Sequence, residues 1–378
     1  MLGVVQGLIT WTPLGLPAFL FVITLVVFFH ELGHFLVARA CGVKVDIFSI
    51  GFGKEIVGFN DRAGTRWRLS WIPVGGYVKF AGDANAASMP DAEVAAALPP
   101  AERGHVLFFK PLWQRAAVAA AGPFANFVVA IILLTGLLLV SGRVALQPLV
   151  GSVVKDSAAQ QAGILPGDLI VSVNGVAVDD FFQLPQIISV RGGESLAITL
   201  DRQGQKLTVH AVPRLARITD QLGEPEDTYV IGVGPSRAAK LVQEPYSPVG
   251  AFVAANQESW GIVKDSLVGI VKLVQGHASP DQIRGTVGIA DLTRKVAERG
   301  FLALLNLAAV LSVSIGLLNL FPIPVLDGGH LLYYGCEAVL GRPLGERAQE
   351  LGFRFGLVLI VGLLLFSVLH DLSRLNLF

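Results

Sequence analysis

The chain has 378 residues, of which 53% are hydrophobic and 15% charged, with a mean hydropathy of +0.61. That composition excludes a set of ordinary soluble domains and indicates a polytopic membrane protein with one modest soluble part. Twenty-nine basic residues balance twenty-nine acidic ones, which leaves no electrostatic footprint for a nucleic-acid partner.

The first thirteen residues carry no Lys or Arg, so the basic n-region of a cleavable signal is missing. The first predicted span runs from Leu14 to Cys41. Leu14 to Phe29 is uncharged, and His30-Glu31-Leu32-Gly33-His34 follows at once. On a helix, positions i and i+4 share a face, so both imidazoles can reach one Zn²⁺, with Glu31 placed to take a proton from water. An isolated pair of histidines at this spacing is often structural. Ionisable groups at membrane depth are costly and mark function.

Between the first two spans, Lys44 to Phe80 alternates apolar and polar residues around Gly51-Phe52-Gly53 and Pro73 to Val78. This predicts short strands with glycine turns in a small sheet at the membrane surface. Its exposed edge is suited to adding an extended substrate strand, and a purely structural hairpin fits equally well. Gly82 to Arg103, rich in Ala and Pro, reads as a linker. The second span, Ala116 to Val140, carries no charge.

From Val150 to about Pro213 the pattern changes to short strands, with Asn174-Gly175 and Gln203-Gly204 as tight turns. Pro248 to Gly276 reads as an amphipathic helix, lying on the membrane surface or against protein. The third span is Phe301 to Val325, and the fourth, about Leu351 to His370, is shorter. Cys41 and Cys336 lie in or beside apolar segments and read as small buried hydrophobes.

Basic residues are absent before the first span, and nine lie between Gly42 and Arg115. The positive-inside rule then puts that loop and the one holding Arg342 and Arg347 in the cytoplasm. The N-terminus, residues 141–300 and the C-terminus are expected outside.

A catalytic zinc usually takes three protein ligands. His210 and His277 fall on the wrong side of the predicted membrane, His105 in the linker region, and His370 at the outer end of the fourth span. The best candidate is Asp327, in Asn319-Leu320-Phe321-Pro322-Ile323-Pro324-Val325-Leu326-Asp327-Gly328-Gly329-His330. There two prolines break an apolar helix at the same predicted depth as His30 and His34. His330 is a weaker rival, better suited to a supporting position.

These strings together resemble the site-2 proteases, intramembrane zinc metalloproteases, and within them the bacterial RseP-like group. The resemblance rests on HELGH, GFG, PVGGYVKF, AGPFANF, GTVGIA and NLFPIPVLDGGH in order, and it covers nearly the whole chain. AGILPGDLIVSVNG resembles the PDZ domains of bacterial envelope proteins. The resemblance implies a four-helix membrane protein with a membrane-associated β loop and one inserted PDZ domain at residues 145–235. The remaining expected segments are 1–41, 42–115, 116–141, 245–298, 299–325, 326–350 and 351–371.

It further implies one catalytic Zn²⁺ held by His30, His34 and Asp327, with Glu31 as general base. Asn319 matches an asparagine that holds substrate backbone. Ser314 stands where some members have a second asparagine. Gly51 and Gly53 of the GFG motif complete the expected substrate-contacting set. The expected substrates are single-span membrane proteins already trimmed on the periplasmic side, such as anti-sigma factors or remnant signal peptides. The expected location is the bacterial inner membrane, with the PDZ domain limiting access. Two rival readings are a PDZ-bearing adaptor without proteolytic activity and a different class of membrane zincin.

Overall fold

The structure, a computed structural model, describes residues 14–83, 103–189, 192–219, 225–275 and 285–374. Most of the Gly82–Arg103 linker, and His277, lie outside them. The chain divides into two units, Met1–Leu137 with Val249–Phe378, and Leu138–Pro248.

Among the described residues, four helices are long and apolar enough to cross a membrane: Gly15–Ala40, Leu112–Ser141, Phe301–Asn319 and Arg347–Leu369. The first three bury stripes spaced by four residues: Ala18, Val22, Val26 and His30; Gly122, Asn126, Ala130 and Leu134; and Leu304, Ala308, Ser312 and Gly316. That spacing is one face of a helix. Small residues let these faces approach closely, as membrane helices require. A Cβ on Gly33 would overlap the Ala121 carbonyl oxygen and stand 2.7 Å from Ala125 Cβ. Gly316 faces the Pro123 carbonyl at 3.0 Å in the same sense.

The third span ends at Asn319, earlier than the expected Val325, because Pro322 and Pro324 lack the N–H groups that would continue it. A turn follows in which Ile323 N–H donates to the Phe321 carbonyl at 2.7 Å and Leu326 N–H to the Ile323 carbonyl at 3.0 Å. A new helix, Asp327–Leu340, begins immediately. Gly328 and Gly329 permit this, since a Cβ on either would run into the carbonyls of Leu320, Phe321 or Ile323.

The loop between the first two spans forms two antiparallel strands, Val45–Asn60 and Arg66–Phe80, each bent sharply along its length. The bends fall where positive φ is required, at Gly51 (86°), Gly53 (89°) and Gly75 (113°). Val45 to Ile50 consequently pairs both with Gly76 to Phe80 and with Arg66 to Leu69. The expected glycine turns are thus bends within paired strands, and the true reversal is at Asp61–Gly64, where Asp61 Oδ1 accepts from the N–H groups of Ala63 and Thr65. Phe48, stacked on Trp67 with ring centroids 4.3 Å apart, packs with Phe35, Val78 and Phe80. That cluster fixes the sheet against the first span.

The second unit holds a four-stranded antiparallel sheet ordered Val176–Ala177, Leu169–Val173, Leu196–Arg202, Gln205–Ala211. Asn174 and Gly175, both at positive φ, turn its first hairpin, and Gln203 and Gly204 its second. Ile170, Val173, Leu196, Ile198 and Leu200 are fully buried and close over Val150, Ile164 and Leu184. Ser157 caps the short helix Ala158–Gln161 by accepting from the Gln160 N–H.

Candidate metal centre

The first span delivers His30 and His34 one turn apart, and the helix Asp327–Leu340 delivers Asp327 at its first residue. The three side chains converge. His30 Nε2 lies 3.2 Å from Asp327 Oδ2, His34 Nε2 3.4 Å from Asp327 Oδ1, and the two Nε2 atoms 3.3 Å from each other. The side chains are only 11%, 11% and 20% exposed.

These separations test whether a metal fits. Donors bonded to zinc at tetrahedral angles with bonds of about 2.0–2.1 Å are held about 3.3 Å apart. The two imidazole nitrogens match that value, and each has an Asp327 oxygen at the same range, Oδ2 for His30 and Oδ1 for His34; one ligand atom from each of the three lies within 4.8 Å of the others. The donor chemistry, two imidazoles and a carboxylate with room for water, is that of catalytic rather than structural zinc. His34 Nδ1 faces the Val118 carbonyl at 2.8 Å. Donation there places the ring proton on Nδ1 and leaves Nε2 free to bind metal.

One cavity contains His30, Glu31, His34 and Asp327, and Asn319, Val325 and His330 also line it. Gly75 to Val78 of the bent strand also line it. The Val78 N–H hydrogen-bonds the Glu31 carboxylate. A Cβ on Gly76 would stand 3.3 Å from Glu31 Cγ, so the glycine lets a peptide edge lie against the carboxylate.

Among the residues expected from sequence, Glu31 and Asn319 line this cavity together with the three donors. Ser314, Gly51 and Gly53 do not line it. Gly51 is packed against the Ile72 carbonyl, and Gly53 is exposed in a bend. His330 lies in the cavity wall but outside the donor cluster.

Three residues were not singled out by sequence. Gly122 makes room for the His34 ring. Val325, a β-branched residue at φ 97°, bears backbone strain two residues before Asp327. Arg115 grips Glu337 through two hydrogen bonds of 3.0 and 2.5 Å and lies over the Tyr334 ring, joining the second span to the helix that carries Asp327. The prolines beside Val325, and the small residues around Gly122, were the available signals.

An HExxH helix completed by a distant aspartate, set among apolar spans, defines the class as zinc-dependent peptidases of membranes. The model of peptidase family M50 matches residues 18–363. A Rhizobium meliloti protein provisionally named a zinc metalloprotease is 43% identical over 359 residues, which is 95% of this chain and 96% of its own. A similarly named protein of Agrobacterium fabrum is 43% identical over 358 residues, 94% of this chain and 95% of its own. Metalloprotease MmpA of Caulobacter vibrioides is 37% identical over 385 residues, 96% of each chain. The PDZ domain of an SdrC-like protein from Listeria monocytogenes is similar at 21% identity and a TM-score of 0.18, covering 26% of this chain and 87% of that one. The chain belongs to peptidase family M50, the site-2 proteases, and is a membrane zinc metalloprotease.

Proposed function

We propose that this protease hydrolyses peptide bonds within or near the transmembrane segments of single-span membrane proteins, in the bacterial inner membrane. His30, His34 and Asp327 hold one Zn²⁺ in this reading, and Glu31 is the general base. The observation that carries it is the convergence of His30, His34 and Asp327, with the two Nε2 atoms 3.3 Å apart and each within 3.4 Å of an Asp327 carboxylate oxygen, on helices apolar enough to cross a membrane.

Zinc at this position supplies Lewis-acid polarisation of the scissile carbonyl and brings the pKa of water to about 7. Glu31 accepts the proton of the attacking water and returns it to the leaving amide nitrogen, which closes the proton balance of hydrolysis. A helical substrate must first be unwound, because its carbonyls are engaged in its own hydrogen bonds. The Gly75 to Val78 edge pairs with the unwound strand, and Asn319 binds its backbone. Ser314 does not line the cavity, so Asn319 is the better supported contact.

The unit Leu138–Pro248 is read as a PDZ domain outside the membrane. Its apolar cleft, lined by Val154, Leu184, Ile188, Leu215 and Tyr229 among others, is the place for an extended peptide. With that unit and both termini outside, substrates arrive already trimmed on the periplasmic side, and the domain excludes those that are not. Membrane-bound anti-sigma factors and remnant signal peptides are the substrate classes that fit.

The test is cleavage of a single-span reporter by purified enzyme in lipid nanodiscs, with product masses locating the cut. Cuts inside the span, in a reporter lacking its outer domain and not in the intact one, are expected. Zinc should restore activity after chelation. Cuts confined to soluble segments would instead indicate a membrane zincin of another kind.

A further inference from the structure

Asn126 stands behind His30. It is completely buried on the second span, and its amide nitrogen lies 3.2 Å from His30 Nδ1, while its Oδ1 has no hydrogen-bond partner among the described residues. A buried orphan acceptor is costly and calls for a physical reason. The two ends of a carboxamide have nearly the same shape and differ only in the bonds they make. His30 Nε2 points to Asp327 and His34. With metal on Nε2, the ring proton resides on Nδ1, and the group facing Nδ1 must accept rather than donate.

We infer that Asn126 is a positioning residue for zinc, turned about its carboxamide axis so that Oδ1 accepts the His30 Nδ1–H. The inference rests on His30 being a ligand. The rotation gives His30 the kind of support that the Val118 carbonyl gives His34, and it moves the amide N–H2 to the place where Oδ1 stood.

Neighbouring atoms hold Asn126 in place. Ser312 Oγ donates to its backbone carbonyl at 2.9 Å, and a Cβ on Gly316 would stand 3.1 Å from Asn126 Cβ. The third span thereby sets the depth of Asn126, and the second span sets both imidazoles of the first. Asn126 is completely buried, so no water replaces a lost partner there, and the acceptor matters more than on an exposed surface.

The test compares zinc affinity of the full chain in nanodiscs, by chelator competition, for wild type, Asn126→Leu, Asn126→Ala, Asn126→Asp and His30→Ala. Asn126→Leu and Asn126→Ala should weaken zinc binding about 10–100-fold. Asn126→Asp keeps an acceptor and should bind within a few-fold of wild type, or tighter. The thermal midpoint of the metal-free protein should hardly move for Asn126→Ala, and the visible spectrum of its cobalt-substituted form should change. Wild-type affinity in Asn126→Leu and Asn126→Ala, or equal weakening in all three Asn126 variants, would overturn the inference. Unchanged affinity in His30→Ala would instead overturn the ligand assignment beneath it.

Discussion

Gly122 lies directly beneath the His34 imidazole, so close that a Cβ there would overlap Nε2, the atom that faces Asp327. The second span thus shapes the metal site by what it omits. Gly122→Ala should push the ring off its position and weaken zinc binding about 10–100-fold, as loss of ligand support commonly does. Circular dichroism should show an unchanged helix content, because alanine favours helix over glycine. Zinc retained on dialysis against a graded chelator series is the measurement.

Asp168 is 1% exposed and binds Arg202 through two hydrogen bonds of 2.7 Å, while also accepting from the Leu165 N–H at 2.8 Å. The Arg202 guanidinium holds its carboxyl below the ordinary carboxylate range. A depressed folded-state pKa means stability that is present above the unfolded value of about 4 and lost as pH falls through the lower, folded one. Asp168→Asn should lower stability near neutral pH by about 2 kcal/mol and flatten the acid dependence. Hydrogen exchange of the Leu196–Arg202 amides in the full chain reads both effects.

Asp371, at the end of the fourth span, accepts from the Gly285 N–H at 3.2 Å and the Gly288 N–H at 2.9 Å. It is therefore the N-terminal cap of the helix Thr286–Ala297, supplied from a distant part of the chain. Asp371→Ala should cost about 1 kcal/mol locally and speed exchange of amides 285–290. Unchanged exchange would show that this helix start needs no such partner.

Much of this architecture was legible because membrane spans announce themselves by length and apolarity. The four helices long and apolar enough to cross a membrane, the Asn174-Gly175 and Gln203-Gly204 turns and the HELGH helix follow from local pattern. Two features did not. Gly51 and Gly53 read as turns, yet they bend strands that keep pairing, and pairing partners distant in sequence decide that outcome. Gly122 and Asn126 carry no chemistry visible in a single span, since their meaning is the imidazole on another helix. Asp327 was accessible to reasoning because the prolines before it force a helix to end where a carboxylate begins.

In the proposed mechanism Glu31 does the proton chemistry beside a zinc held by His30, His34 and Asp327. The most direct test pairs zinc content with cleavage of a membrane-embedded reporter for wild type, Glu31→Gln and Asp327→Ala. Glu31→Gln should keep one zinc per chain and lose about 10²–10⁴-fold in rate, while Asp327→Ala should lose both zinc and activity. Wild-type cleavage by Glu31→Gln, or full zinc content in Asp327→Ala, would contradict that assignment of roles.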